Sequence, residues 1–175
     1  MNRPALFSLI IIALTSSLSF DCQADSLGMS NVRFSANIVT WSCTISSASQ
    51  NITVNLGQWN TRSYKSSGIT TIPTYFSISL NNCANSSVTT TFSGKSDPTN
   101  DQYLALDSTS TVENVAIELL DSDKTELPLN KESHAVIVGS SGNATLGFYA
   151  RYITTAKAVQ AGTADAQATF VINYR

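Results

Sequence analysis

The sequence predicts an all-β protein built as an antiparallel sandwich. Three observations point there. Apolar and polar residues alternate over short runs, the period of a strand with one buried face. The runs are separated by Ser/Asn/Asp/Gly clusters, which punctuate hairpins. No segment carries caps and a 3.6-residue period over three turns, as a helical core would require. Serine and threonine make up about a quarter of the 175 residues beside abundant Val, Ile, Phe and Tyr, which suits exposed strand faces and turns.

Taken in order, the runs are 38–45, 52–56, 75–80, 88–92, 112–120, 135–138, 146–153 and 168–174. The polar connection 60–72 leaves room for a short helical turn. Residues 115–120 would also fit a helix by periodicity alone. The turn-rich Asp121-Ser122-Asp123-Lys124 that follows favours a strand entering a hairpin. No internal repeat, low-complexity tract or interdomain linker is present, and about 150 residues after an export signal make one domain.

Residues 1–24 form that signal: Arg3 gives a positive start, an apolar stretch follows, and Cys22-Gln23-Ala24 offers small residues at the positions a peptidase reads. The stretch is shorter than the ~20 residues a membrane span needs. Asp21 before Cys22 argues against lipid attachment there. Cleavage leaves Cys43 and Cys83, an even number in an oxidising compartment. A disulfide is the first reading and two buried thiols the second. Closing a loop of ~40 residues stabilises a fold by ~4 kcal/mol on the chain-entropy account.

The formal charge of −2 survives removal of Arg3 and Asp21, and no basic patch exists to neutralise phosphates, so nucleic acid is not an expected partner. Nor does the chain read as an enzyme, and no cofactor or metal is expected. The single histidine, His134, would have to serve any Cys–His or serine triad, and no Gly-x-Ser-x-Gly elbow is present. Asp97, Asp101, Asp107 and Glu113 lie in turn-like stretches and are expected to be exposed, not paired as glycosidase carboxylates. Asp121, Asp123, Thr125 and Glu132 mimic a calcium loop in spacing, but Glu126 stands where the loop needs glycine. Arg151, between Tyr149 and Tyr152, reads as a solvated or stacking strand residue. Asn51, Asn85 and Asn143 fit glycosylation sequons.

The N-terminal segment 25–37 carries the functional argument. Val32, Phe34 and Ala36 alternate with polar residues and run towards Ile38, Val39 and Cys43 with no reversal signal between Ser30 and Cys43. The segment is either one long bent strand or a free arm before the first strand. Burial of Val32 and Phe34 contributes ~3–6 kcal/mol, and each backbone hydrogen bond ~1 kcal/mol. An arm left in water is an aggregation hazard, so such an arm wants a groove.

From Val32-x-Phe34-x-Ala36-x-Ile38-Val39 to the first cysteine, the chain resembles type 1 fimbrial subunits. The resemblance continues in order through Thr53-Val54-Asn55-Leu56-Gly57, Phe76-Ser77-Ile78-Ser79-Leu80-Asn81-Asn82-Cys83, Phe92-Ser93-Gly94, Leu104-Ala105-Leu106, Ile117-Glu118-Leu119-Leu120-Asp121 and Leu127-Pro128-Leu129-Asn130. It ends with Phe148-Tyr149-Ala150-Arg151-Tyr152, Ala161-Gly162 and a tail in which tyrosine is penultimate. The resemblance implies an incomplete immunoglobulin-like β-sandwich (residues 38–175) lacking its last strand, preceded by a donor-strand extension (25–37). It also implies the chaperone–usher route. A periplasmic chaperone fills the groove, and at the outer-membrane usher the arm of a neighbouring fimbrial subunit replaces it.

On that resemblance Ser30, Val32, Phe34 and Ala36 are the donor face, Ala36 standing where the family usually has glycine. Phe170, Ile172 and Tyr174 form the edge strand beside the groove, with Arg175 supplying the terminal carboxylate the chaperone anchors; Phe170 and Tyr174 are also expected to pack in the core. The implied product is a subunit of an adhesive extracellular fimbria, minor or adaptor-like more than a major rod subunit, touching host glycan only through a tip adhesin. The alternatives are a carbohydrate-binding tip adhesin and a self-contained secreted sandwich.

Overall fold

The computed structural model describes residues 43–157 and 159–175. The signal 1–24, the arm 25–37 with Ser30, Val32, Phe34 and Ala36, and the start of the 38–45 run lie outside the described residues. Seven strands are present among those described: β1 (Thr44–Ile45), β2 (Thr74–Asn81), β3 (Ser87–Gly94), β4 (Val115–Leu120), β5 (Val136–Ile137), β6 (Ala144–Thr154) and β7 (Ala168–Tyr174). All ladders are antiparallel. One sheet has the order β1-β2-β6-β4 and the other β5-β3-β7.

Period-two patterning sets the register. In the first sheet Phe76 stands opposite Phe148, Ile78 opposite Leu146, and Leu119 opposite Ala150. In the second, Phe92 faces Phe170, Thr90 faces Ile172, and Val88 faces Tyr174. The two inner faces meet in one core, with Ile78, Leu80, Val88, Leu120 and Cys83 essentially sealed from solvent. Four phenylalanines bridge the layers: the Phe92 ring centroid lies 5.0 Å from Phe148, 6.0 Å from Phe76 and 6.3 Å from Phe170. Phe92 and Phe148 are buried, each worth ~1.5–3 kcal/mol, while Phe76 and Phe170 are partly buried against them, so this stack is a principal bond between the sheets.

A Cys43–Cys83 disulfide ties the start of β1 to the end of β2, with Cα atoms 4.5 Å apart. The turn that follows uses asparagines in the left-handed region, Asn82 (φ 62°) and Asn85 (φ 57°), a conformation their short polar side chains tolerate. After β4, Asp121 to Thr125 closes the expected hairpin, with Lys124 at φ 66°. A 3-10 turn, Thr61–Ser63, occupies the polar connection, capped by the Asn60 side chain accepting from the Arg62 N–H.

Several expectations are corrected. The 112–120 run yields a strand only from Val115, because Asn114 adopts φ 63° and breaks extended pairing. The 52–56 run forms no ladder among the described residues. Asp97 is buried, not exposed: its Oδ1 accepts the Thr99 and Asn100 N–H groups and closes the local turn. Arg151 is not solvated: its Nε donates to Glu118 Oε2 at 2.5 Å, and Glu118 is buried. Asp121 spends both carboxylate oxygens on backbone, accepting the N–H of Ser122 and of His134.

Candidate functional site: an open strand edge and its groove

The two sheets treat their edges differently. On the first, Leu104 bridges to Ile117 outside β4, and the Leu127 N–H donates to Leu119 O, so that edge is covered. On the second, β5 is a two-residue edge. At the other side β7 pairs with β3 alone, and no described residue bonds its remaining edge. A seven-residue strand with one bare side is a template for another strand.

Beside it the core is not closed. Phe170 and Ile172, on the inward face of β7, are only half-buried although they pack against the core. Tyr174 departs from the expected core packing: it lies opposite Val88 yet is 46% exposed. Arg175 closes the ladder, exchanging N–H···O bonds with Ser87 at 2.9 and 2.8 Å, while its guanidinium reaches Glu132 at 3.5 Å.

An open groove of about 810 Å³ opens onto this core where β7 begins. One rim is the unpaired 52–56 segment, whose Ile52, Val54 and Leu56 alternate inward as a strand would, and pack on the core. It ends in a tight turn: the Gly57 N–H (φ 78°) donates to Asn55 Oδ1 and Trp59 Nε1 donates to Leu56 O. Residues 161–167 form the opposite rim. Val115, Ile117 and Tyr152 lie beneath. Burial, and secondarily the charge of Asp165, raises the Tyr152 phenol above its usual range. It stays neutral and donates to Ala164 O at 2.7 Å. The site therefore offers apolar surface and unpaired backbone. Among the described residues, no group of three His, Cys, Asp or Glu side chains could hold a metal ion.

Of the residues singled out in the sequence, the structure joins Cys43 to Cys83 and packs Phe170 and Ile172, partly buried, against the core; the groove's lining ends at Gln167, one residue before β7. Sequence reasoning missed the 161–167 rim and Tyr152. The available signal was Ala161-Gly162-Thr163-Ala164-Asp165-Ala166, a small-residue alternation immediately before a strand.

Two sheets packed face to face, with one strand edge that no described residue pairs, define a pilin-type immunoglobulin-like domain. The comparisons with known proteins agree. The family model described as Fimbrial protein matches residues 32–175, and the chain belongs to that family. It is 43% identical over 149 residues to the fimbrial-like protein FimF of Salmonella typhimurium, covering 85% of this chain and 86% of that one. A solved structure of a Burkholderia pseudomallei antigen and type I fimbria protein is 31% identical with a TM-score of 0.60, covering 75% of this chain and 88% of that chain. A chain from a solved chaperone-usher pilus shares the fold at 22% identity and a TM-score of 0.63, covering 85% of this chain and 97% of that one.

Proposed function

We propose that this chain is a structural subunit of an adhesive fimbria that polymerises by donor-strand exchange. Residues 25–37, with Ser30, Val32, Phe34 and Ala36 on one face, enter the groove of a neighbouring subunit, while this chain's own groove receives a neighbour's arm. The bare edge of β7 beside a half-open core carries the reading, because an added strand satisfies both deficits at once: backbone pairing on the edge and apolar cover for Phe170 and Ile172. The unpaired 52–56 rim supports it, having strand patterning without a ladder partner. The route runs through the periplasm, where a chaperone strand fills the groove, to an outer-membrane usher and the extracellular fibre. A minor, adaptor-like place in that fibre is part of the same proposal. No catalysis and no cofactor enter this account.

Phe34→Asp tests it. Placing a charge on the inserted face abolishes incorporation into fibres, while a one-to-one complex with the chaperone survives because the chaperone fills the acceptor groove and does not use the arm. Fibre incorporation by immunoelectron microscopy and co-purification with chaperone are the measurements. Loss of the chaperone complex with Phe34→Asp would show that the arm serves the subunit's own fold.

A further inference from the structure

The rim 161–167 is held in place from its far side by an unusual density of hydrogen bonds. The Thr111 and Val112 N–H groups both donate to Thr163 O, at 3.0 and 3.1 Å, and the Asp107 N–H donates to Asp165 O at 2.7 Å. Side chains reinforce the backbone in both directions. The Thr163 N–H donates to Thr111 Oγ1 at 3.0 Å, the Thr111 N–H to Thr163 Oγ1 at 3.2 Å, and the Asp165 N–H to Ser110 Oγ at 2.8 Å. Ser110 Oγ donates in turn to Asp165 O, and Gln167 Nε2 to Asp107 Oδ2. This clasp closes only because residue 162 is glycine: a Cβ there would stand 2.5 Å from both Thr111 Oγ1 and the Val112 nitrogen. Backbone cannot yield to such a contact by rotating a side chain.

Geometry then fixes what the other side of the rim presents. In an extended chain the in-plane N–H and C=O groups of successive residues point to opposite sides. Thr163 and Asp165 turn theirs to 107–112, so Ala164 and Ala166 turn theirs to the groove. Ala164 O takes the Tyr152 hydroxyl. Ala166 has no backbone partner among the described residues. It lies two positions before the start of β7 and continues its bare edge.

We infer that residues 163–167 are a preset extension of the acceptor edge. Gly162, Ser110, Thr111 and Thr163 are positioning residues that fix this wall before a strand arrives. The inference rests on the open-groove reading and deepens it. An entering strand pairs beyond β7, at Ala166, against a wall that needs no ordering on binding, so less conformational freedom is lost at that step.

The test uses the mature chain and a fluorescent synthetic peptide of residues 25–37. On peptide binding, hydrogen exchange at the Ala166 amide slows together with the β7 edge amides. Gly162→Ala and the Thr111→Val/Thr163→Val double variant weaken peptide binding about tenfold, or ~1.4 kcal/mol, through slower association, while Thr111→Ser, which keeps the hydroxyl, behaves as wild type. Urea midpoints of the unliganded variants separate a placed wall from a damaged fold. An Ala166 amide that remains unprotected while β7 is protected overturns the extension. Wild-type association rates in both variants, or a binding loss matched by an equal loss of unliganded stability, overturn the positioning role. Failure of the wild-type chain to capture any peptide removes the open-groove reading itself, and this inference with it.

Discussion

Arg151 shows how one residue on a strand can be misjudged from its neighbours and what it then does. Set between two tyrosines it reads as solvated, but on β6 it lies directly opposite Glu118 of β4, a cross-strand register invisible in sequence. The Glu118 carboxylate is 6% exposed and the Arg151 side chain 26%. Their bond offsets the cost of a charge that would otherwise be stranded in a buried position. The neighbouring Glu126 carboxyl is raised above its usual range by partial burial first and by Glu118 second. Arg151→Ala, which strands the Glu118 charge, is expected to cost ~3–5 kcal/mol. Replacing the pair by Glu118→Leu with Arg151→Met recovers most of that. Urea midpoints of the two variants decide it; equal midpoints would mean that the pair, not the orphaned carboxylate, sets the cost.

At the scale of elements, β7 has two unlike faces that a single-residue step exchanges. Ile172 points to the core and Val171, 53% exposed, to solvent. Val171→Asp is expected to change stability by no more than ~0.5 kcal/mol. Ile172→Asp costs roughly 2–4 kcal/mol and also disables strand capture. Thermal unfolding and peptide binding on the two variants check this, and equal effects would show that β7 is not registered as the ladder has it. The alternation that makes this prediction was legible in the sequence, since the 168–174 run matches β7 end to end. Runs 75–80, 88–92 and 146–153 each fall within strands two or three residues longer, because ladder bonds recruit flanking, mostly polar residues that carry no apolar signal. The 52–56 run had the right pattern and no ladder. Period two reports which face is buried, whereas pairing depends on whether a partner strand is supplied. The clasped rim was illegible for a different reason: its order comes from hydroxyls of 110–111 meeting 163–165 across some fifty residues, and neither side is apolar.

For the whole molecule, the consequence of an open groove is a stability deficit that a donor strand should restore. The core is otherwise well closed: a sealed centre, four interlocked phenylalanines, and a disulfide spanning 40 residues. Among the described residues, the edge of β7 away from β3 has no backbone partner. Burying two large side chains supplies ~3–6 kcal/mol, and each new ladder bond ~1 kcal/mol. Part of that gain is lost to ordering the strand. For a domain of this size each kcal/mol moves the unfolding midpoint by ~3–5 °C. Appending a second copy of residues 25–37 after Arg175, through a flexible linker long enough to turn back along β7, should therefore raise the midpoint by ~10–20 °C. It should also convert a self-associating chain into a monomer by size-exclusion chromatography with light scattering. The same fusion carrying Asp at its second Phe34 position should gain nothing, because backbone pairing alone does not cover the core. A mature chain that is already monomeric, and whose midpoint the fusion leaves unchanged, would mean that the groove is filled from within, and that β7 is a finished edge and not a vacancy for a neighbour.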